Sequence, residues 1–183
     1  MKTLLSGYKV TLKRVVRDDL EMLREWRNHD KIKAFMLSQE NISAEQQVAW
    51  FEKIQQSNNQ AHYVIYYKDE AIGSANIRAV NTDNLQTASV IEPGLYIFAD
   101  QYRSNLLAFA PTLLLNDYCF NELQIEYLQA VVKADNHAAL SYNQKLGYRR
   151  VEPKNNNKPV LTIQLRQADY ENACKQIKGL LSR

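Results

Sequence analysis

The sequence predicts an α/β fold in which helices cover a mixed, mostly antiparallel sheet. Strand-like and helix-like segments alternate in the order β, α, α, three strands, then α, β, α, β and a terminal helix. Segment 87–99, a helix and segment 126–134 form a strand–helix–strand unit, which predicts a right-handed crossover between parallel strands. At 183 residues the chain has the length of one domain, and we expect a single domain over 1–183.

The N-terminal part predicts a strand followed by two helices. Residues 10–16, VTLKRVV, alternate and are rich in valine, as a strand is. The helical segment 17–32 contains Asp18 and Glu21 at the spacing of a capping box. The segment 43–56 opens with a second capping pair and places apolar side chains at helical intervals.

Three strands are expected in the middle of the chain. Residues 62–80 read as a hairpin around the polar turn KDE, and residues 87–99 as a further strand. Pro93 and Gly94 stand in the centre of that last strand. Because proline lacks an N–H donor and glycine tolerates irregular φ, we expect a bulge or kink there.

The C-terminal half alternates helices with strands. Asp135 or Asn136 can cap a short helix that Gly147 ends. Pro111 lies early in its helix, near the turn where a missing N–H matters least. The predicted segments are a helix at 106–123, a strand at 126–134, a short helix at 135–148, a strand at 159–165 and a C-terminal helix at about 167–182.

Composition excludes several classes of function. The net charge of +3 is spread along the chain, which argues against nucleic acid. No apolar run reaches the roughly 20 residues of a membrane span, and the N-terminus has no secretory apolar segment, so we expect a cytoplasmic protein. Cys119 and Cys174 lack CxxC spacing, and His29, His62 and His137 are far apart, so no metal site is expected. Cys119 stands in an apolar run and reads as a buried hydrophobic residue.

One long segment resembles a known family. The run from TASVIEPGLYIF through YRSNLLA to DNHAALSYNQKLGY resembles the core of the GNAT acetyltransferases, and DNHAAL with KLGY is its most specific part. LREWRNHDKIKAFM and EPGLY are most similar to the branch that contains aminosugar N-acetyltransferases of the pseudaminic-acid pathway type and ribosomal-protein N-terminal acetyltransferases. The resemblance covers about 8–165. It implies acetyl-CoA as donor, a primary amine as acceptor and a GNAT fold with a splayed central strand pair.

The resemblance assigns roles to the strand at 87–99. Glu92 matches the family glutamate before GLY, and a carboxylate there can act as general base for the attacking amine. The alternative is a strand carboxylate that faces solvent or pairs with a lysine. A kink after Glu92 would separate this strand from 126–134. Backbone groups of Tyr96, Ile97 and Phe98 would then bind the pantetheine arm.

The loop at 103–108 is the candidate pyrophosphate site. The family pattern is Arg/Gln-x-x-Gly-x-Gly/Ala, and the residues here are Arg103, Ser104, Asn105, Leu106, Leu107 and Ala108. Aligned on Arg103, Leu106 replaces the central glycine, whereas counting from Glu92 without a gap puts Asn105 there. Backbone N–H groups at a helix start bind phosphate without requiring glycine throughout. We therefore expect either a strained residue at 105 or 106, or a reshaped turn.

The short helix supplies the remaining candidates for the cofactor site. Asn136 matches the family asparagine that contacts the cofactor. Many members carry a tyrosine three residues before LGY as general acid, but this chain has Asn143 there and Tyr142 one residue earlier. One residue rotates a helical side chain by about 100°. Either Asn143 hydrogen-bonds the sulfur, or Tyr142 reaches it after a local shift, or the thiolate takes its proton from water.

The segment WRNHDKIKAFM is expected to border the acceptor pocket. Arg27, Asn28 and His29 are donors suited to a phosphate, a carboxylate or sugar hydroxyls, and Met36 with Phe35 would form an apolar wall. The favoured acceptor is a small-molecule amine, an amino sugar that can be nucleotide-linked. The alternatives are a peptide N-terminus of the ribosomal-protein type, or a non-catalytic GNAT-like binding protein with a degenerate loop. A monomer and a homodimer are both compatible with the sequence.

Overall fold

Eight strands form one mixed sheet in the computed structural model, which describes residues 1–151 and 159–182. The strands are β1 (Leu4–Gly7), β2 (Val10–Arg14), β3 (Gln60–Tyr67), β4 (Glu70–Ala79), β5 (Val90–Ile97), β6 (Tyr127–Lys133), β7 (Arg149–Arg150) and β8 (Val160–Arg166). They are ordered β1-β2-β3-β4-β5-β6-β8-β7 across the sheet. The predicted polar loop at 152–158 lies outside the described residues.

Six helices accompany the sheet in the described part of the chain. They are α1 (Leu20–Asn28), α2 (Asp30–Lys33), α3 (Ala44–Gln56), α4 (Ala110–Asp117), α5 (His137–Lys145) and α6 (Gln167–Leu181). A 3-10 turn at Leu106–Phe109 leads into α4, and a π-helical turn at Tyr118–Glu122 follows it. The mixed sheet with flanking helices confirms the predicted fold class.

The central strands β5 and β6 separate soon after they meet. They are the parallel pair of an otherwise antiparallel sheet, and their register contains only Val90 with Tyr127 and Ile91 with Leu128. Beyond this point β5 continues to pair with β4 as far as Ile97, while β6 pairs with β8. The predicted splay of the central strand pair is therefore confirmed, and it opens a gap in the middle of the sheet.

Proline is tolerated in β5 because its ring faces that gap. The N–H of Phe98 donates to the carbonyl of Ile72 (2.8 Å), and the N–H of Val80 to the carbonyl of Val90 (3.0 Å). Backbone groups in an antiparallel pair alternate between the two sides of a strand. Even-numbered residues from 90 to 98 therefore bond to β4, and Pro93 loses no ladder bond. The register with β4 is unbroken at this point, so the predicted bulge is wrong.

Two tight hairpins begin and extend the sheet. The turns at Tyr8–Lys9 and Lys68–Asp69 have positive φ at both central residues, as in type I′ hairpins. The second turn confirms the predicted hairpin. Strand β1 was not predicted, because its four residues carry one buried side chain, Leu5, and pair with β2 only in the folded chain.

The sheet separates two apolar clusters. On one face, Tyr63 and Ile65 pack in the main core with residues of α4 and α6. On the other, Val64 packs with Leu23 and Trp26 of α1. Cys119 and Cys174 are buried and free in the main core, which confirms the prediction for Cys119.

The C-terminal helix is fixed to α4 by a polar cluster. Asp117 accepts hydrogen bonds from Tyr8 (2.5 Å) and Tyr170 (2.7 Å), and it pairs with Lys178 at 2.9 Å. The Tyr170 hydroxyl lies 3.0 Å from the carbonyl of Leu113 as well, and its ring is fully buried. Helix α6 therefore packs on its own sheet through α4.

His62 gives the fold a dependence on pH. Burial, with a smaller contribution from Arg14, lowers the pKa of His62 to about 4, and its ring packs edge-on against Trp50 at 5.0 Å. The unfolded chain protonates this histidine below about pH 6.5, whereas the folded protein does so only near pH 4. The contribution of neutral His62 to the free energy of unfolding should be fully present above pH 6.5. It should fall by up to about 3 kcal/mol as the pH drops toward 4.

Urea unfolding of the wild type and His62→Phe between pH 7.5 and 4.5 measures this effect. Phenylalanine keeps the ring against Trp50 and cannot take up a proton. The variant should lose less stability than the wild type over that range, because the shared carboxylate titrations cancel in the difference. Equal losses in the two proteins would contradict the assignment to His62.

Candidate active site

The gap between β5 and β6 opens into a cavity of about 400 Å³. Residues of both strands line it, together with α2, the residues just after α2, the start of α4 and helix α5. The cavity exists because β5 and β6 pair at one end only, and beyond that point β5 follows β4 while β6 follows β8. A helix start and the open strand edges meet at this place.

The open edge of β5 presents a short row of backbone groups. Because the even-numbered residues bond to β4, the N–H and C=O groups of Leu95 and Ile97 face the gap. Ile97 was among the backbone groups expected there, and Leu95 was missed. For Tyr96 and Phe98 the expectation is corrected, because alternation and the bond from Phe98 to Ile72 direct their backbone groups to β4.

The loop before α4 folds without strain. No residue from 103 to 108 has positive φ, so the expected strained residue at 105 or 106 is absent from this turn. Asn105 is extended, and its side chain accepts from the N–H of Leu107 (3.0 Å). Its carbonyl accepts from the N–H of Ala108 (3.1 Å). Of the two expectations, the reshaped turn is the one that agrees with these backbone angles.

Three donors of this loop are left for a ligand. The N–H groups of Ser104, Asn105 and Leu106 make no hydrogen bond within residues 1–151 and 159–182. Arg103 lines the cavity and pairs with Asp100 at 3.0 Å. The loop thus retains consecutive free amides beside a cation, which is the chemistry that a diphosphate requires.

Helix α5 brings Asn136, Tyr142 and Asn143 to the cavity wall. Asn136 is the N-cap of α5, since its side chain accepts from the N–H of Ala139 (3.0 Å). The Asn143 amide donates to the carbonyl of Ala139 (2.8 Å). Burial raises the pKa of Tyr142 above its usual range.

The predicted acceptor-side residues divide into two groups. Met36 lines the cavity together with Phe35 and Leu37, whereas Arg27, Asn28 and His29 are not among its lining residues. The Asn28 side chain donates to the carbonyl of Ile42 and accepts from its N–H, at 2.9 and 2.8 Å. Arg27 donates to the carbonyl of Ser38 (2.8 Å), and His29 caps α2. These three side chains fasten the segment that carries the apolar wall.

Glu92 lies beside the cavity and carries a partner. Its carboxylate is 3.1 Å from the Arg78 guanidinium, directly across the β4–β5 ladder, and its side chain is 31% exposed. Glu92 is not among the lining residues, but the five residues that follow it in β5, 93–97, are. The ion pair with an arginine replaces the lysine pairing or solvent exposure that the sequence left open.

Sequence reasoning missed two cations of the site. Lys31 and Lys133 line the cavity with Arg103, and no described lining residue is acidic. Lys31 lies 3.8 Å from the centre of the Phe98 ring and 3.0 Å from Asp100. Lys133 donates to the carbonyl of Ala34 (3.2 Å) across the cavity mouth. Lys133 ends β6, and the last four residues of that strand line the gap, so its position at the end of the predicted strand was the available signal.

Other kinds of site find no support in the described residues. Within 1–151 and 159–182, no group of three or more histidine, cysteine, aspartate or glutamate side chains is arranged to hold a metal ion. No helix of those segments combines the length and apolarity that a bilayer crossing requires.

Comparison with known proteins identifies the family. The model of the acetyltransferase (GNAT) domain matches residues 9–149, which include the splayed strands, the loop and α5. The chain belongs to the GNAT acetyltransferases. Acetyl-CoA is the cosubstrate of this family.

Similar GNAT proteins include both sugar and polyamine enzymes. The acetyltransferase PseH of Campylobacter jejuni is 28% identical over 130 residues, which are 69% of this chain and 74% of PseH. The structure of FdhC, described as a nucleotide-linked sugar GNAT, is 17% identical, covers 96% of this chain and 97% of its own, and has a TM-score of 0.77. Spermidine N-acetyltransferase from Vibrio cholerae, solved with CoA and spermine, is 20% identical over 88% of this chain and 98% of its own, with a TM-score of 0.72.

Proposed function

We propose that the protein transfers acetyl from acetyl-CoA to the primary amine of an amino sugar that carries an anionic group, such as a nucleotide-linked sugar. One observation carries the proposal: the gap between β5 and β6 opens into a cavity that is lined by three cations and, among the described residues, by no carboxylate. Lys31 and Arg103 share Asp100 as partner, so the wall keeps a net positive charge. A cavity of this charge favours an anionic donor and an anionic acceptor.

The residues of the gap fit the donor. Acetyl-CoA supplies the acetyl group as an activated thioester. The N–H and C=O groups of Leu95 and Ile97 offer a strand edge to an extended amide chain. The free amides of 104–106 and the guanidinium of Arg103 offer donors to a diphosphate. Donors fixed in this way also polarise a carbonyl in the gap without reorganising.

Glu92 is the proposed base for the attacking amine. An amine attacks a thioester carbonyl only when it is unprotonated, and a carboxylate within reach of one water can remove its proton. Glu92 directly precedes residues 93–97 of β5, which line the cavity. Its pairing with Arg78 holds the carboxylate in one position. Asn143 lines the cavity, and its amide can donate a hydrogen bond to sulfur.

The positive charge of the cavity favours anionic acceptors over cationic ones. Spermine, the compound bound to the Vibrio cholerae relative, is a polycation. Lys31 and Lys133 would repel such an acceptor, because like charges in a partly desolvated site are costly. A sugar amine on a nucleoside diphosphate brings negative charge to the same lysines. The similarity to PseH and to the nucleotide-linked sugar GNAT supports this class.

The rival is a GNAT-like protein that binds without catalysis. It is favoured by Asn105, which already satisfies the N–H groups of Leu107 and Ala108 that a glycine-rich loop would offer to phosphate. The fewer free donors predict weaker donor binding. Titration with acetyl-CoA separates the two possibilities.

Acetyl-CoA at one hundred times its Kd should raise the free energy of unfolding by about 2.7 kcal/mol. Chemical unfolding with and without the cosubstrate measures the increase, and adenosine without the diphosphate is the matched control ligand. Absence of stabilisation at millimolar acetyl-CoA would overturn the enzymatic function. Stabilisation without acetylation of any amine would favour the rival.

An acceptor screen completes this test. Nucleotide-linked amino sugars, free amino sugars, spermine and peptides with free N-termini are compared by kcat/KM at fixed acetyl-CoA. The highest kcat/KM is expected for a nucleotide-linked amino sugar and the lowest for spermine, since their charges differ in sign. Preference for peptides would replace the sugar by a protein N-terminus. Preference for spermine would contradict the electrostatic argument.

A further inference from the structure

The turn at Leu106–Phe109 lacks glycine, and its conformation depends on contacts from elsewhere in the fold. Local capping by Asn105 fixes the N–H groups of Leu107 and Ala108. It does not fix the carbonyl of Ala108 or the ring of Phe109. Both of these groups are held by one side chain of α5, that of Tyr142.

Tyr142 makes three contacts with the start of α4. Its hydroxyl lies 3.1 Å from the carbonyl of Ala108 and 2.6 Å from the hydroxyl of Thr112. Its ring stacks on that of Phe109, with ring centres 4.8 Å apart and planes 10° from parallel. Ala108 and Thr112 also line the cavity. One side chain therefore joins the two segments that form the donor site.

We propose that Tyr142 is a positioning residue that holds the glycine-less turn in the conformation that binds acetyl-CoA. The role of that turn in binding rests on the proposed function. Tyr142 thereby replaces, through tertiary contacts, the conformational control that a loop of the family pattern obtains from glycine. Its neighbour Asn143 occupies the family's acid position.

The hydrogen-bond partners of Tyr142 show that its hydroxyl proton is donated to another group of the protein. A phenol has one proton to donate, and the carbonyl of Ala108 can only accept. The Tyr142 hydroxyl therefore donates to Ala108, and Thr112 donates to the Tyr142 oxygen. Both functions of the hydroxyl are used within the fold. A tyrosine bound in this way supports the turn and leaves protonation of the thiolate to solvent.

Tyr142→Phe tests this role, because it removes the hydroxyl and keeps the stacking on Phe109. Loss of one hydrogen bond should raise the Kd for acetyl-CoA, measured by calorimetry, by about 3- to 10-fold. At saturating substrates kcat should stay within about twofold, and the alkaline limb of its pH profile should not move. Amide hydrogen exchange across 103–109 should be faster in the variant without any ligand.

Two further variants make the result specific. Thr112→Val removes the second hydroxyl, and its effect on Kd should not add to that of Tyr142→Phe, since both act on one network. Tyr170→Phe is the matched control. Tyr170 also approaches a carbonyl of α4, that of Leu113, but lies one turn beyond the loop. It should lower stability and leave the Kd unchanged.

The outcomes separate the proposal from the function on which it rests. Failure of the wild type to bind acetyl-CoA would overturn the proposed function. Faster amide hydrogen exchange across 103–109 in Tyr142→Phe would still show that Tyr142 stabilises the turn. Wild-type binding with unchanged Kd and exchange in Tyr142→Phe would overturn the positioning role. A fall in kcat of a hundredfold with a shifted alkaline limb would show that Tyr142 is the general acid instead.

Discussion

Replacing Glu92 with glutamine should lower kcat by about 10²- to 10⁴-fold, the usual contribution of a general base. Glutamine keeps the size of the side chain and can still accept a hydrogen bond from Arg78, so the fold around β5 should be preserved. What is lost is the ability to take the proton of the attacking amine. Steady-state kinetics on the best acceptor of the screen measures the loss, and acetyl-CoA affinity should be unchanged.

Arg78→Met is the control for this experiment. It removes the partner of Glu92 and keeps the carboxylate. Because an exposed ion pair contributes at most about 1 kcal/mol, the rate should change by about fivefold or less. If Glu92→Gln retains wild-type kcat on every accepted amine, the base is another group. If both variants lose activity equally, the ion pair acts by shaping the strand.

Gly73→Ala should lower the free energy of unfolding by about 1–3 kcal/mol, the usual cost of overpacking. A Cβ at Gly73 would lie against the carbonyl oxygen of Tyr96 and 2.9 Å from the Cα of Ile97. Both obstacles are backbone atoms of β5, which cannot rotate away as a side chain does. The strand would have to move toward the gap, so acetyl-CoA affinity should fall as well.

Gly179→Ala is the matched control for Gly73→Ala. Gly179 lies in α6, and a Cβ there meets no atom within 4 Å. Alanine should therefore stabilise the protein by about 0.5–1 kcal/mol, because it favours the helix. Urea unfolding of both variants should give changes of opposite sign. Equal stability of Gly73→Ala and the wild type would show that β4 and β5 tolerate a wider spacing.

Most elements of the fold could be predicted, because their signals are local. The capping box of Ser43 and Gln46 begins α3, and the Asn136 side chain caps α5, both as expected from neighbouring residues. Hydrophobic alternation gave β3 and β4 within two residues of their bounds. Strand β1 was missed because its stabilisation comes from pairing with β2. The cause of the splay was also misjudged, since a bulge was expected where the register is continuous.

The site was less predictable, because it depends on which way side chains point. Asn136, Asn143 and Met36 line the cavity, whereas Arg27, Asn28 and His29 bind the backbone of the chain itself or pack around it. Whether a donor faces a ligand or a carbonyl depends on contacts that have no signature along the chain. The cations Lys31 and Lys133 come from segments about 100 positions apart and meet only across the gap.

The sequence by itself indicated the family, through its resemblance to the GNAT core, and most of the order of elements, because motifs and periodicity are properties of neighbouring residues. It also predicted where the donor loop lies. Tertiary structure alone decided what holds the loop without glycine beyond its local cap. Asn105 caps it from within, while Tyr142, more than 30 positions away, holds Ala108. A left-handed residue is one solution to a tight turn. A long-range hydrogen bond is another, and it can be recognised only when the chain is folded.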